Sequence, residues 1–244
     1  MSNYFKYFPI IDYKFGNETS FAKFENLSVY ADVIDQVADA VTAYEEYYIL
    51  PNERPDQVSE KLYGTPDYHW TFFLMNDNIR EQCWPLSNNA LFDTAAAKYP
   101  TTVLTTRTKL TDKFKVGQTI TGSTSTATAK IAIRNLDLGQ LYLESVSGTF
   151  VAGENVTSTN SNNVVETILL TSAELQYNAA HHYEDANGNI VDIDPEVGPG
   201  AQLTEVTWFE RVNRLNEANR QIKILKPGIV RDVVKAFRDA VGTV

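Results

Sequence analysis

A single cysteine, Cys83, stands in 244 residues, so no disulfide closes within the chain and a reducing compartment suits it. Histidine is nearly as scarce: His69, His181 and His182 are the whole set. A zinc site wants His and Cys at ligand spacing, and one thiol with one adjacent His pair does not supply it. No apolar run nears the roughly 20 residues that span a bilayer. The start, Met1-Ser2-Asn3-Tyr4-Phe5-Lys6, lacks the basic stretch and apolar core of a signal peptide. The sequence therefore reads as a soluble chain made in the cytosol, with the Asn-x-Ser/Thr triplets at Asn17, Asn26 and Asn155 coincidental.

Catalytic signatures are missing too. There is no phosphate-cradling Gly-rich loop ending in Lys-Ser/Thr, no nucleophile elbow and no dinucleotide fingerprint. Carboxylates are plentiful, but none sits in a recognisable glycosidase arrangement, which needs two held at a set separation in a cleft. Asp185, Asn187 and Asn189 imitate the start of a calcium loop, yet Gly188 follows the second ligand instead of the third and no closing Glu stands at the end. A hairpin turn explains that stretch better. No metal, cofactor or small-molecule substrate is expected.

Positive charge is in short supply as well. The formal net charge of −10 speaks against a nucleic-acid partner, because phosphate contacts need Lys and Arg to release counterions. The exception is the end of the chain. Residues 205–244 hold Arg211, Arg214, Arg220, Lys223, Lys226, Arg231, Lys235 and Arg238 against Glu205, Glu210, Glu217, Asp232 and Asp239. That basic end either grips nucleic acid or, more simply, complements an acidic body or neighbour.

What the chain has is aromatic surface: 13 Tyr, 12 Phe and 3 Trp, much of it in the first hundred residues. Aromatics are enriched in cores and in interfaces alike. Residues 4–15 crowd them around Pro9 and read as an extended arm or edge strand. Val33, Val37, Val41 and Tyr44 predict a helix over 31–44, and residues 47–50 a short strand. Pro55 opens a helix that Gly64 stops, and Thr65-Pro66-Asp67 opens a second one ended by Asn76-Asp77-Asn78. In that second helix Tyr68, Phe72 and Met75 share one face and Trp70 and Leu74 another, so it is buried or covered. Trp84-Pro85-Leu86 reads as a further extended piece.

From 104 to 170 Thr, Ser, Val and Ile alternate, and FKVGQTITGST at Phe114 recurs as FVAGENVTSTN at Phe150, 36 residues later. Each copy predicts a strand-turn-strand unit, and two copies make a small inserted β-sandwich or barrel. Asn187-Gly188 predicts a type I′ turn. Trp208, Val212, Leu215 and Ile222 predict one helical stripe up to Pro227-Gly228, and Ile229, Val233 and Phe237 a final helix.

Two patches carry a family resemblance. YYILPNERPDQVSEKLYGTPDYHWTFFLMNDNIREQCWPL, residues 47–86, resembles a LysM-type βααβ module, in the variant found in the baseplate wedge protein 53 family of contractile-tailed, T-even-type bacteriophages. Arg54, Pro55, Tyr63, Gly64, Trp70, Asn76, Asp77, Asn78, Trp84 and Pro85 carry it. In residues 215–227, Asn216, Glu217, Arg220, Ile222 and Lys223 resemble that family's C-terminal signature, and the aromatic arm is similar too. Residues 104–170 depart from the pattern and resemble β-rich repeats inserted into many phage structural proteins.

Residue patterns and resemblance together give an α+β chain: an aromatic arm (1–30), a helix plus LysM-like βααβ module (31–103), an inserted small all-β domain with an internal duplication (104–170), and a hairpin with C-terminal helices (171–244). The resemblance implies no catalysis, and the composition no membrane and no nucleic acid. The implied partners are other baseplate wedge proteins, with several copies per hexagonal baseplate, in a virion tail built in the host cytoplasm. Its rival is LysM-type binding of peptidoglycan by a tail-associated lysin. Since interfaces concentrate energy in Trp, Tyr and Arg anchors, the interface candidates are Tyr4, Phe5, Tyr7, Phe8, Trp70, Arg220 and Lys223. Trp70 competes with a plain core role, and Arg220 with a helical salt bridge to Glu217.

Overall fold

The structure is a computed structural model, and it describes residues 9–17, 19–26 and 44–243. Tyr4, Phe5, Tyr7 and Phe8, and all of the predicted 31–44 helix except Tyr44, lie outside the described residues. The chain forms two compact units, Met1–Ser87 with Asn216–Val244, and Asn88–Leu215.

In the first unit β1 (Ile10–Tyr13) pairs antiparallel with β2 (Ala22–Glu25) across a turn containing Gly16. β3 (Tyr44–Tyr48) is followed by α1 (Pro55–Tyr63). Pro55 fits the first helical turn, where its missing N–H is no loss, and Gln57 Oε1 takes the Arg54 N–H. Gly64, at φ +70°, ends α1 in the left-handed conformation and donates its N–H to the Glu60 carbonyl. Thr65 then caps a 3-10 turn (Pro66–Tyr68), accepting the Asp67 N–H, and α2 (Trp70–Met75) follows.

Asn76 ends α2 as predicted, but in an extended conformation that lets Asp77 open another helix, α3 (Asp77–Gln82), with an Asp77–Arg80 ion pair across its first turn. Both faces of α2 are used. Phe72 packs with Ile49, Val58, Ile79, Ile222 and Ile224. Trp70 and Leu74 pack with Leu225, Val230, Val233, Val234 and Phe237, and Tyr68 and Met75 join them there instead of the Phe72 side.

The end of the chain corrects the single helical stripe. α5 (Trp208–Ala218) stops before Ile222, which belongs to β13 (Gln221–Leu225), where alternate residues are buried up to Ile224. A period of two in Ile222-Lys223-Ile224 outweighs the longer 4-3-7 spacing. α6 (Val230–Thr243) closes the first unit.

The second unit begins with α4 (Asn88–Lys98), a helix whose low amphipathicity hid it from the sequence reading. Then β4 (Thr102–Thr106), β5 (Thr119–Gly122), β6 (Thr128–Asn135), β7 (Gln140–Ser147), β8 (Asn155–Thr159) and β9 (Val165–Leu175) close a barrel in the order 4-7-6-5-8-9. Thirteen buried side chains fill it, Phe114, Ile120, Phe150 and Val156 among them.

The two repeat copies meet in the middle of this barrel. β5 and β8 pair antiparallel as Ile120↔Ser158, Thr121↔Thr157 and Gly122↔Val156, so each copy lies on its own counterpart about the Thr121–Thr157 pair, with local two-fold symmetry. The turns ahead of the strands are equivalent as well. Gly117 (φ +90°) and Gly153 (φ +83°) hold left-handed corners, and the Gln118 and Glu154 side chains accept the Lys115 and Val151 N–H groups.

Beyond the barrel, β10 (Ala180–Glu184) lies between β11 (Ile190–Val191) and β12 (Thr204–Thr207). The β10–β11 turn is not type I′. Gly188 has positive φ but Asn187 does not, and the Asp185 carboxylate collects the Asn187 and Asn189 N–H groups into a longer loop. No ligand is needed to explain Asp185.

Glu154 departs from the repeat symmetry, standing where the first copy has Gln118. Its buried carboxylate accepts N–H groups from Thr124, Ser125 and Val151 and the Ser125 hydroxyl. Burial alone would raise its pKa; these bonds outweigh burial and hold it below the ordinary 4.5. A depressed pKa contributes stability that is whole above the ordinary value and lost as pH falls through the folded one. Glu154→Ala is therefore expected to cost the barrel about 2–3 kcal/mol at neutral pH. The deficit should shrink as pH drops below the carboxylate range; a pH-independent deficit in urea unfolding would contradict this.

Candidate interaction surface

The first unit is sewn together from opposite ends of the chain. β3 pairs antiparallel with β13, Tyr47 opposite Ile222 and Glu46 opposite Lys223, across more than 170 residues of sequence. The strand that completes the module's sheet is thus β13, and Trp84-Pro85-Leu86 is not a strand. Trp84 instead donates its indole N–H to the Glu53 carbonyl at 2.7 Å and lies against Phe72 and Phe73.

Arg220 holds the seam. It is 2% exposed. Its Nε meets Glu217 Oε1 at 2.8 Å, Nη1 reaches the Ile49 carbonyl at 3.4 Å and Nη2 the Leu86 carbonyl at 3.2 Å. Asn216 brackets Leu86, accepting its N–H at 2.8 Å and donating to its carbonyl at 3.2 Å. Asn219 contacts the Asn78 and Gln82 side chains. The partner bonds hold the Glu217 carboxyl below its ordinary range, with Arg220 the largest cause.

Asn76 does comparable work on the outer edge of β13. Its amide accepts the Lys223 N–H at 2.7 Å and donates to the Lys223 carbonyl at 2.7 Å, as a neighbouring strand would. Tyr63 donates its hydroxyl to the Leu225 carbonyl at 3.0 Å, and burial pushes its pKa up to about 12. Side chains thus occupy the outer edge of β13 at Lys223 and Leu225.

The β1–β2 hairpin is the opposite case. Every residue in both strands is exposed, including Ile10 at 67% and Phe24 at 45%, and Phe21 just before β2 is 66% exposed. Tyr13, Phe15 and Phe24 form an edge-to-face cluster among themselves. A two-stranded hairpin is marginal alone in water, and a contiguous apolar patch of this kind marks an interaction site.

Residues 4–105 match the family model described as Base plate wedge protein 53. The match spans less than half of the chain; it takes in the hairpin, β3 and the helices α1 to α4, and stops at β4 of the barrel. No curated protein matches the chain. That stretch of the chain is therefore similar to a baseplate wedge family. Among the described residues no cluster of three or more His, Cys, Asp or Glu side chains is placed to hold a metal, and no helix is long and apolar enough to cross a membrane.

The residues that carried the resemblance to the wedge family mostly converge on the seam. Tyr63, Asn76, Trp84, Asn216, Glu217, Arg220 and Ile222 link or flank the two segments, Arg54, Pro55 and Gly64 bound α1, and Asp77 opens α3. Trp70 packs against Phe237 in the core, the two rings tilted and 4.8 Å apart. Lys223 is exposed, its ammonium 5.0 Å from the Tyr44 ring. Sequence reasoning missed Phe21 and Phe24, although Gly16-Asn17 between two apolar runs was a usable hairpin signal.

Replacing Arg220 by Lys keeps the charge but removes the planar fork, leaving buried carbonyls short of donors. Arg220→Lys is expected to destabilise the first unit by about 2–3 kcal/mol, read by urea unfolding. Tolerance within about 0.5 kcal/mol would show that the seam does not depend on the fork.

Proposed function

We propose that this chain is a structural subunit of a phage baseplate wedge that joins neighbouring wedge proteins, with the β1–β2 hairpin entering the neighbour. Exposed Ile10, Phe21 and Phe24 on a hairpin lacking an apolar cover among the described residues carry this reading. Each such side chain gains about 1.5–3 kcal/mol on full burial, against the association and ordering costs of binding. The aromatics Tyr4, Phe5, Tyr7 and Phe8 precede this hairpin in sequence. Trp70 and Arg220 act from within, by keeping the supporting module rigid, and Lys223 offers the exposed cation.

In this reading several copies enter each hexagonal baseplate, in the virion tail, after synthesis in the host cytoplasm. Repetition around a ring lets modest contacts sum, so each joint need not be tight alone. No substrate is turned over.

The test is co-expression with the wedge proteins. The wild-type chain is expected to co-purify with them, and Ile10→Ser with Phe21→Ser to weaken capture about 100-fold, or about 2.7 kcal/mol. Thermal stability should move by no more than about 0.5 kcal/mol, because both side chains are on the surface. Undiminished capture by the double variant would remove the hairpin from the joint. Retention on peptidoglycan, with no wedge binding, would replace this reading by the LysM-type one.

A further inference from the structure

The strand edges of the chain differ in how they are finished. The barrel closes on itself and has no edge. The outer edge of β13 is filled by the Asn76 amide and the Tyr63 hydroxyl. β3 is different: among the described residues no strand pairs with its outer side.

Register tells which backbone groups face that side. Lys223 spends its N–H and carbonyl on Asn76, so the Glu46–Lys223 pair is a non-hydrogen-bonded one, and Ile49 N–H bonds Arg220. In an antiparallel ladder the two kinds of pair alternate. Glu45 and Tyr47 therefore bond β13, while Tyr44, Glu46 and Tyr48 point their N–H and carbonyl groups outward. Their side chains are exposed too, Tyr48 to 54%.

The geometry points to β3 as an acceptor edge that takes one extended segment of another tail protein as an added strand. This rests on the joining role proposed above and names where a neighbour's own segment lands. Main-chain bonds would supply affinity and alternate side chains specificity. The charge states the partner's chemistry. Among the described residues Glu45 makes no ion pair and Glu46 accepts the Gln221 amide; Lys223, opposite Glu46, sets its ammonium over the Tyr44 ring, and Lys61 is taken by Glu53 and Tyr47. With a net charge of −10, the chain favours a segment that alternates Lys or Arg with apolar residues over a second copy of itself.

Proline offers a selective test. At Glu46 it removes only an outward N–H, which edge strands tolerate. The probe is an acetylated eight-residue peptide alternating Lys and Val, added to the full chain and followed by residue-resolved amide hydrogen exchange. In the free chain the Tyr44, Glu46 and Tyr48 amides should exchange fast and those of Glu45 and Tyr47 slowly; the peptide should protect the first three. Glu46→Pro, with unchanged thermal unfolding, should weaken the peptide at least about tenfold, as should replacing its Lys by Glu.

Equal binding by Glu46→Pro, or no protection, would overturn the inference. So would protection already present in the dilute free chain. Protection that grows with chain concentration alone would assign the edge to a second copy and overturn the partner named here. A chain that captures wedge proteins through the hairpin but leaves these amides unprotected loses this inference only.

Discussion

The β3–β13 pairing, locked by the buried Arg220 fork, is the constraint on which the first unit rests. It joins residues from near the start of the chain to residues from near its end, so the helices between them have something fixed to pack on. A lone two-stranded sheet would not persist. Here it does because one face receives Phe72, Val58 and Ile79, and because Asn76 and Tyr63 finish the β13 edge with side-chain bonds. Burying a guanidinium is costly unless it is well bonded, and Glu217, Ile49 and Leu86 give each of its three nitrogens an acceptor.

That arrangement explains why a barrel can stand in the middle of the sequence without disturbing the module. Its core is separate from those of the first unit, and its closure needs only its own six strands. The duplicated segments pair about their own two-fold, which gives an economical origin for a closed barrel from one repeated strand-turn-strand unit. Glu154, at the position of Gln118 in the other copy, departs from the symmetry by accepting N–H groups from the loop that follows β5.

Local signals were the legible part of the sequence. Pro55, Gly64 and Thr65 mark helix boundaries through backbone chemistry that acts within a few residues, and the 36-residue repeat announced an inserted β unit. The Trp70–Phe72–Leu74 pattern correctly demanded burial on two sides. Long-range pairing was not legible. Nothing in Gln221–Leu225 says that its partner is Tyr44–Tyr48, and the apolar spacing through Ile222 imitated a helix. The exposure of Phe21 and Phe24 depends on what fails to pack on them, which no spacing encodes. Arg220 and Trp70 have the chemistry of interface anchors, but the fold encloses both.

The central claim is that the first unit completes its core from its own two segments and leaves the hairpin for a foreign polypeptide to cover. A side-chain-resolution map of the assembled tail tests this most directly. The account predicts Ile10, Phe21 and Phe24 buried against another chain, with Arg220 still bonded to the Ile49 and Leu86 carbonyls. A map with the hairpin open to solvent, or folded onto its own unit, would contradict it.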